Sequence, residues 1–334
     1  MMNFLRRYLD ELLTGSFLCL IFSLVPFYPP VFATPGGRAL AQWVLRSAFL
    51  LFVLLLAAAR FNSRARALLR IVLEIAPVVV AVLGYVSLKL MHASAVTAWL
   101  GIQSKDQWMM TADIVLFGKT PYLWLAQWGL DSPLFLQVMS SFYGLYPFMP
   151  ILAVIWFLFR GDTAQLRLVR RTMVISLFAG YCCYILVPVS GPLSISTPLA
   201  PIFIQSTLTY TFLMGNFRYA FDCFPSLHTA NPWLLLWICR GKFPRWFMAI
   251  AVIACAGITL STIALRMHYG IDDIAGLVWL FPIALLARKT LPRVTAQSSS
   301  PLHGTSAAAL AVVEFGRIGR RENISANRNP ECNS

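Results

Sequence analysis

Apolar residues along this chain run in blocks of about the length of a membrane-crossing helix, separated by short polar or basic stretches. Eight blocks stand out, at about 15–33, 39–59, 71–91, 134–158, 172–189, 227–239, 246–265 and 272–288. A bilayer core of about 30 Å is crossed by about 20 mostly apolar residues in helical form. Ala39 to Ala59, Ile71 to Met91 and Phe247 to Leu265 meet that length. Lipid offers no partner to backbone N–H and C=O groups, so each block is predicted as a helix. The pattern therefore predicts an all-α chain, a polytopic membrane helical bundle of about eight transmembrane helices. Two blocks are weaker than the rest. The first contains Pro26, Pro29 and Pro30 and, with Arg6 and Arg7 ahead of it, also has the make-up of a signal sequence. The sixth is short unless it begins near Pro225.

Composition agrees with a lipid solvent. Of 334 residues, 58% are apolar and 12% charged, with mean hydropathy +0.70, whereas a soluble domain carries about twice that share of charge. A formal net charge of +14 would suit nucleic acid if it were gathered in one domain. Instead the basic residues fall in blocks between apolar spans: Arg60, Arg64, Arg66 and Arg70; Arg160, Arg167, Arg170 and Arg171; Arg240, Lys242 and Arg245; Arg288, Lys289 and Arg293. No nucleic-acid partner is expected; the bilayer is the partner this pattern implies. The blocks occupy alternate connections, and the positive-inside rule places them and both termini in the cytoplasm, in a plasma or inner membrane. Connections 92–133, 190–226 and 266–271 then face the other side.

Three parts follow along the chain. Residues 1–133 carry the N-terminal spans and an outer amphipathic segment in which Trp99, Trp108, Trp124 and Trp128 stand among Gln103, Lys105 and Asp106. Such rings favour the membrane interface, and short helices on the outer surface are predicted, as a cap or as a roof over a site. Residues 134–294 form the membrane core. Residues 295–334, rich in Ser, Ala, Asn and Arg, are predicted to be a disordered cytoplasmic tail. Seven cysteines show no CxxC pair and read as small buried packers.

The chemistry concentrates in two stretches. The chain has four histidines, and two of them, His228 and His268, stand in polar surroundings at the predicted outer ends of apolar spans. The first stretch reads Asp222-Cys223-Phe224-Pro225-Ser226-Leu227-His228-Thr229, and the second runs from Ser261 through Arg266, His268 and Tyr269 to Asp272-Asp273. Ionisable groups beside a span are costly and point to function. His268 and Asp272 are four apart, on one face if a helix starts there, so the carboxylate can fix the imidazole tautomer and free the other ring nitrogen as nucleophile or base. Both histidines lie at the same predicted outer level, where they can divide the roles of nucleophile and general acid. Arg266 adds a fixed positive charge suited to phosphate.

These residues resemble the type 2 phosphatidic acid phosphatase superfamily, and within it the branch of the inositol phosphorylceramide synthases, over roughly residues 134–288. Phe224 to His228 is similar to the second motif, usually Pro-Ser-Gly-His, with Leu227 in place of Gly. Ser261 to Asp272 is similar to the third motif, and Pro188-Val189-Ser190-Gly191-Pro192 to a turn found in the branch. The resemblance implies a six-helix phosphatase-like core and phosphate transfer through a phosphohistidine without metal or cofactor. It implies His268 as nucleophile, Asp272 as its orienting partner, His228 as the acid and Ser226 as a phosphate ligand. The Lys-x6-Arg-Pro first motif is missing, and Thr262 stands where the third motif usually has Arg. The phosphate clamp must then come from elsewhere, with Arg266 and Arg218 as candidates. The substrate implied is a lipid or lipid-linked phosphate ester, with water or an alcohol as acceptor.

Other readings of the same residues stand beside this one. His268 with Asp272, and Ser226 with His228, also suit plain helix caps. Zinc could gather His228, His268, Asp222 and Asp272, although no HExxH-like spacing supports it. A transporter would want polar groups near the midplane rather than at one face, and the missing first motif also fits an inactive copy of the family. Asp222 and Asp273 read as solvated loop acids outside the site.

Overall fold

The computed structural model describes residues 8–17, 53–54, 57–90, 93–195 and 219–291. Among them there is helix and no strand, as the pattern predicts. The predicted spans 15–33 and 39–59 fall largely outside the described residues, and Arg218 and the tail 295–334 lie wholly outside them.

After a helical stretch at 8–17, the elements are α1 (Ser63–Leu90), α2 (Ala93–Trp99), α3 (Asp106–Phe117), α4 (Pro121–Gln127), α5 (Pro133–Leu145), α6 (Phe148–Arg160), α7 (Thr163–Leu186), α8 (Leu227–Ile238), α9 (Arg245–Ala264) and α10 (Gly270–Thr290). Among the described residues, four stretches are long and apolar enough to cross a membrane: 63–85 of α1, and all of α7, α9 and α10. Helices α5 and α6 make a fifth if the pair, bent by 47°, counts as one span. This is the build of a membrane protein.

Three predicted spans differ from what forms. The block 134–158 breaks at Tyr146-Pro147, because proline lacks the N–H that would continue the helix and its ring excludes the carbonyl four residues back. The block 227–239 forms α8, of 12 residues, about 18 Å long and well short of a bilayer core. It can be short because α6, α7, α9 and α10 surround it, burying Leu227, Ala230, Leu234, Leu235 and Ile238. The block 172–189 belongs to α7, which starts at Thr163, where the Asp162 side chain accepts the Gln165 N–H as a cap. Arg167, Arg170 and Arg171 therefore lie in a helix, not in a loop.

Arg167 is exposed, and the reason Arg170 and Arg171 tolerate burial in a helix is an ion cluster. The guanidinium of Arg170 donates to Asp10 at 2.9 Å, Glu11 at 3.0 Å and Glu74 at 2.6 Å. Arg171 pairs with the other oxygen of Asp10 and donates to the Thr290 carbonyl at 2.9 Å. One end of the bundle is thus tied through α7 to the stretch 8–17, α1 and the end of α10. Arg160, Arg240, Arg245 and Arg288 stand at helix ends on this same side.

The opposite end collects the start of α8, the end of α9 and the start of α10, with the three short helices α2 to α4 beside them. Helix α2 packs on α7 and α1, α3 on α10, and α4 on α9. Trp99, Trp108 and Trp128 are exposed there, as suits interfacial rings. Helices α8 and α10 cross closely where Gly276 faces the start of α8: a Cβ at Gly276 would come 2.6 Å from the Ser226 carbonyl oxygen. That crossing brings the two histidine stretches together.

Candidate active site

Ser226 caps α8, its Oγ accepting the Thr229 N–H at 3.3 Å, and it is fully buried. Its own N–H donates to the Asp272 carbonyl at 3.1 Å, which fixes the start of α8 against the start of α10. His228 follows on the first turn and is half-buried. Its ring stacks on Tyr143 at 4.2 Å and meets Tyr146 at 4.2 Å on a tilted plane.

The second stretch turns back at Arg266, whose φ of 57° is the left-handed conformation that costs a residue with a Cβ of order 1–2 kcal/mol. The turn lets the N–H groups of Met267 and His268 both reach the Thr262 carbonyl, at 2.9 and 3.2 Å. Asp272 Oδ2 accepts the Tyr269 N–H at 2.9 Å and starts α10.

His268 is buried, and its Nδ1 lies 2.9 Å from the Cys223 carbonyl oxygen. A carbonyl only accepts, so Nδ1 carries the proton and Nε2 keeps its lone pair. Asp272 Oδ2 is 3.8 Å from Nδ1, beyond hydrogen-bonding distance but close enough to act on charge. Burial opposes protonation of His268, while Asp272, Asp273 and Asp222 outweigh it and hold its pKa above the ordinary histidine value. The rings of His228 and His268 stand 5.6 Å apart, centroid to centroid.

Of the residues singled out in the sequence, His228, His268, Asp272 and Ser226 come together. Arg266 is half-buried at the same loop, its guanidinium 4.8 Å from the Tyr122 ring on α4, and its carbonyl holds the Leu193 N–H at 2.8 Å. Arg218 cannot be placed, since it lies outside the described residues.

Two acids read as solvated are buried instead. Asp273 takes the Thr229 hydroxyl at 2.6 Å and the Thr262 hydroxyl at 2.8 Å, so it joins α8, α9 and α10. Thr262, in the place where the third motif usually has Arg, thereby has a structural partner. Asp222 accepts the hydroxyl of Tyr85 from α1, and the Tyr219 N–H donates to that hydroxyl oxygen at 3.1 Å. Helix α1 thus reaches the site.

Two further acids went unread in the sequence. Asp113 of α3 accepts the Gly270 N–H at 3.0 Å and the Ile271 N–H at 2.9 Å. It caps α10 from another helix and matches the positive end of that helix's dipole. Burial pushes the Asp113 carboxyl up, and the two N–H donors work against that push. Asp106, at the start of α3, accepts the N–H groups of Ser190 and Gly191 at 3.0 and 2.9 Å. The turn it holds is packed tightly: Gly191 has φ 84°, and a Cβ there would come 2.1 Å from the Met267 carbonyl oxygen. The amphipathic make-up of 92–133, with tryptophans spread among polar residues, gave the only sign of these roles. Acceptance of N–H groups more than 80 residues away leaves no spacing to read.

Donor atoms of Cys223, His268 and Asp272 lie within 4.8 Å of one another and, among the described residues, are the group that could hold a metal ion. All three are already engaged: Cys223 Sγ lies 3.0 Å from the Met267 carbonyl oxygen, His268 Nδ1 is held by the Cys223 carbonyl, and Asp272 Oδ2 accepts the Tyr269 N–H. His228 and Asp222 are not part of this group.

The sequence model of the PAP2 superfamily matches residues 107–286, more than half of the chain. It takes in α3 and α4 as well as the bundle from α5 to α10. No curated protein and no solved structure matches the chain.

Proposed function

The chain belongs to the PAP2 superfamily, and from that premise we propose a membrane-embedded phosphatase or phosphotransferase that works through His268 on a lipid or lipid-linked phosphate ester. Membership brings phosphatase-type chemistry on phosphate esters. The single observation that carries the finer reading is a nucleophile-ready histidine beside a second one: Nδ1 of His268 is committed to a carbonyl, and the His228 ring is 5.6 Å away.

The steps are these. The lone pair on His268 Nε2 attacks phosphorus, the bond to the leaving oxygen breaks, and protonated His228 gives that oxygen its proton. Water or an alcohol then attacks the phosphohistidine, His228 takes its proton, and the P–N electron pair returns to Nε2. Asp272 and Asp273 favour the positive charge that His268 carries while phosphorylated. The Ser226 hydroxyl and Arg266 serve the phosphoryl oxygens, with Arg218 of the outer loop as a second cation. The basic blocks gather at the other end of the bundle, and the positive-inside rule then supports a site at the extracytoplasmic face, with both termini cytoplasmic.

With water as acceptor the enzyme is a phosphatase. The second reading, transfer of a phospho-headgroup to a lipid alcohol as in the inositol phosphorylceramide synthases, is supported by Leu227 in place of Gly. Leu227 is buried against Gly180 of α7, where a Cβ would meet its Cδ1 at 2.6 Å.

The test is phosphate release by purified protein in detergent with EDTA, from phosphatidic acid and from a polyprenyl diphosphate, beside His268→Ala. Release that the variant loses while keeping its fold is the expected result. Release retained by His268→Ala would overturn the mechanism. No release from either, followed by headgroup transfer from phosphatidylinositol to ceramide, would select the second reading.

A further inference from the structure

Pro147 stops α5 and turns the chain by 47° into α6. Tyr143 and Tyr146, three residues apart, share one face at that corner. Both rings close on His228: Tyr143 lies 4.2 Å away with planes 20° apart, and Tyr146 lies 4.2 Å away with planes 44° apart. Tyr146 is itself braced, its hydroxyl oxygen accepting from Asn231 Nδ2 at 3.0 Å. Asn231 Oδ1 accepts the Ser176 hydroxyl at 2.5 Å, and Ser176 Oγ accepts the Trp279 indole N–H at 3.2 Å. Helices α7, α8 and α10 thus hold one wall of the clamp. The His268 ring, at 5.6 Å, closes the remaining side.

We propose that Tyr143 and Tyr146 are positioning residues that hold His228 as the proton donor to the leaving oxygen. This rests on the enzymatic reading above. The bend delivers two ring faces to one imidazole. A ring face within about 6 Å attracts a cation, so the clamp favours the imidazolium over the neutral ring and limits its rotation. A donor of this kind matters in proportion to how badly the leaving oxygen needs a proton. An alkyl alkoxide cannot depart without one, whereas a nitrophenolate can.

The test compares two phosphate esters that carry the same long chain, one leaving as an alcohol and the other as a nitrophenol, in the full-length protein in detergent. Tyr143→Leu and Tyr146→Leu are expected to lower kcat/KM for the alkyl ester at least tenfold. The nitrophenyl ester should change less than about threefold, because general acid catalysis contributes 10²–10⁴-fold only where the proton is needed. Tyr143→Phe keeps the ring and should keep both activities, and His228→Ala should show the same split in larger measure. Met, which fills the space without a ring face, replaces Leu where the Leu variant does not fold. Equal losses on both esters, or no loss on the alkyl ester, would overturn the clamp while leaving His268 chemistry standing. Wild type inactive on both esters would overturn the phosphatase reading and the clamp with it, and His268→Ala active on both would overturn the histidine mechanism and the clamp with it.

Discussion

The two ends of this bundle both bury carboxylates, and they satisfy them in opposite ways. At the basic end, buried Asp10, with the more exposed Glu11 and Glu74, is matched by Arg170 and Arg171, permanent cations with no proton to give. At the histidine end, Asp106 and Asp113 are satisfied by backbone N–H groups, Asp273 by two threonine hydroxyls, and Asp272 by one N–H with His268 beyond it. The first arrangement fixes helices; the second leaves negative charge around an imidazole whose proton can move. Buried charge therefore marks a site only where its partner titrates.

The largest break in that comparison is Asp10→Ala. It leaves two buried guanidinium groups without their shared carboxylate, a change that costs about 3–5 kcal/mol when one partner of a buried pair is removed. Thermal unfolding in detergent should show a fall of that size. A small shift would mean that the cluster is not part of the scaffold.

Next comes Asp113→Ala at the other end. Fold should be nearly retained, because most of the bundle lies elsewhere, but the Gly270 and Ile271 N–H groups lose their acceptor and the His268 loop loosens. Displacements of about 1 Å can cost about 10²-fold in rate, and a kcat lowered by that order is expected from steady-state kinetics. Unchanged kcat would remove α3 from the account of the site.

Asp273→Asn has a smaller effect and a definite sign. On the proposed mechanism His268 must be neutral to attack, and Asp273 helps to hold its pKa above the ordinary 6.5. Removing that charge lowers the pKa, so the neutral nucleophile appears at lower pH and the acidic limb of the pH–rate profile moves down. A limb that stays in place, or moves up, would break the assignment.

The smallest effect is Lys242→Ala. Its partner Asp162, 2.8 Å away and held below the usual carboxylate range chiefly by that lysine's hydrogen bond, is partly exposed. Pairs of this kind are worth about 1 kcal/mol or less, so thermal unfolding should barely shift. The contrast with Asp10→Ala isolates burial as the cause.

Much of this was legible in the sequence for physical reasons. Apolar blocks announced the helices α1, α7, α9 and α10 within a few residues at most of their ends, because lipid and core both demand continuous apolar faces. That His228, His268, Asp272 and Ser226 would come together was readable because each sits in a local motif. Four things were not. Arg170 and Arg171 read as a loop because their counter-charges, Asp10, Glu11 and Glu74, lie about 90 to 160 residues away in sequence. Asp222 and Asp273 read as solvated because nothing local says that Tyr85, Thr229 and Thr262 will reach them. Asp106 and Asp113 carry no motif, since a carboxylate that accepts N–H groups from a distant turn needs no fixed spacing. The block 134–158 read as one unbroken span, so neither the bend at Pro147 nor its consequence, a pair of tyrosines around His228, was foreseen.

The most direct test of the central claim is to trap the phosphoenzyme. Purified protein is mixed with substrate labelled in its phosphate, quenched in alkali and digested. Label that survives base, is lost in acid and maps to the peptide bearing His268, while His268→Ala takes up none, is the result this account predicts. Turnover by the wild type with label on any other residue, or continued turnover by His268→Ala, would contradict it.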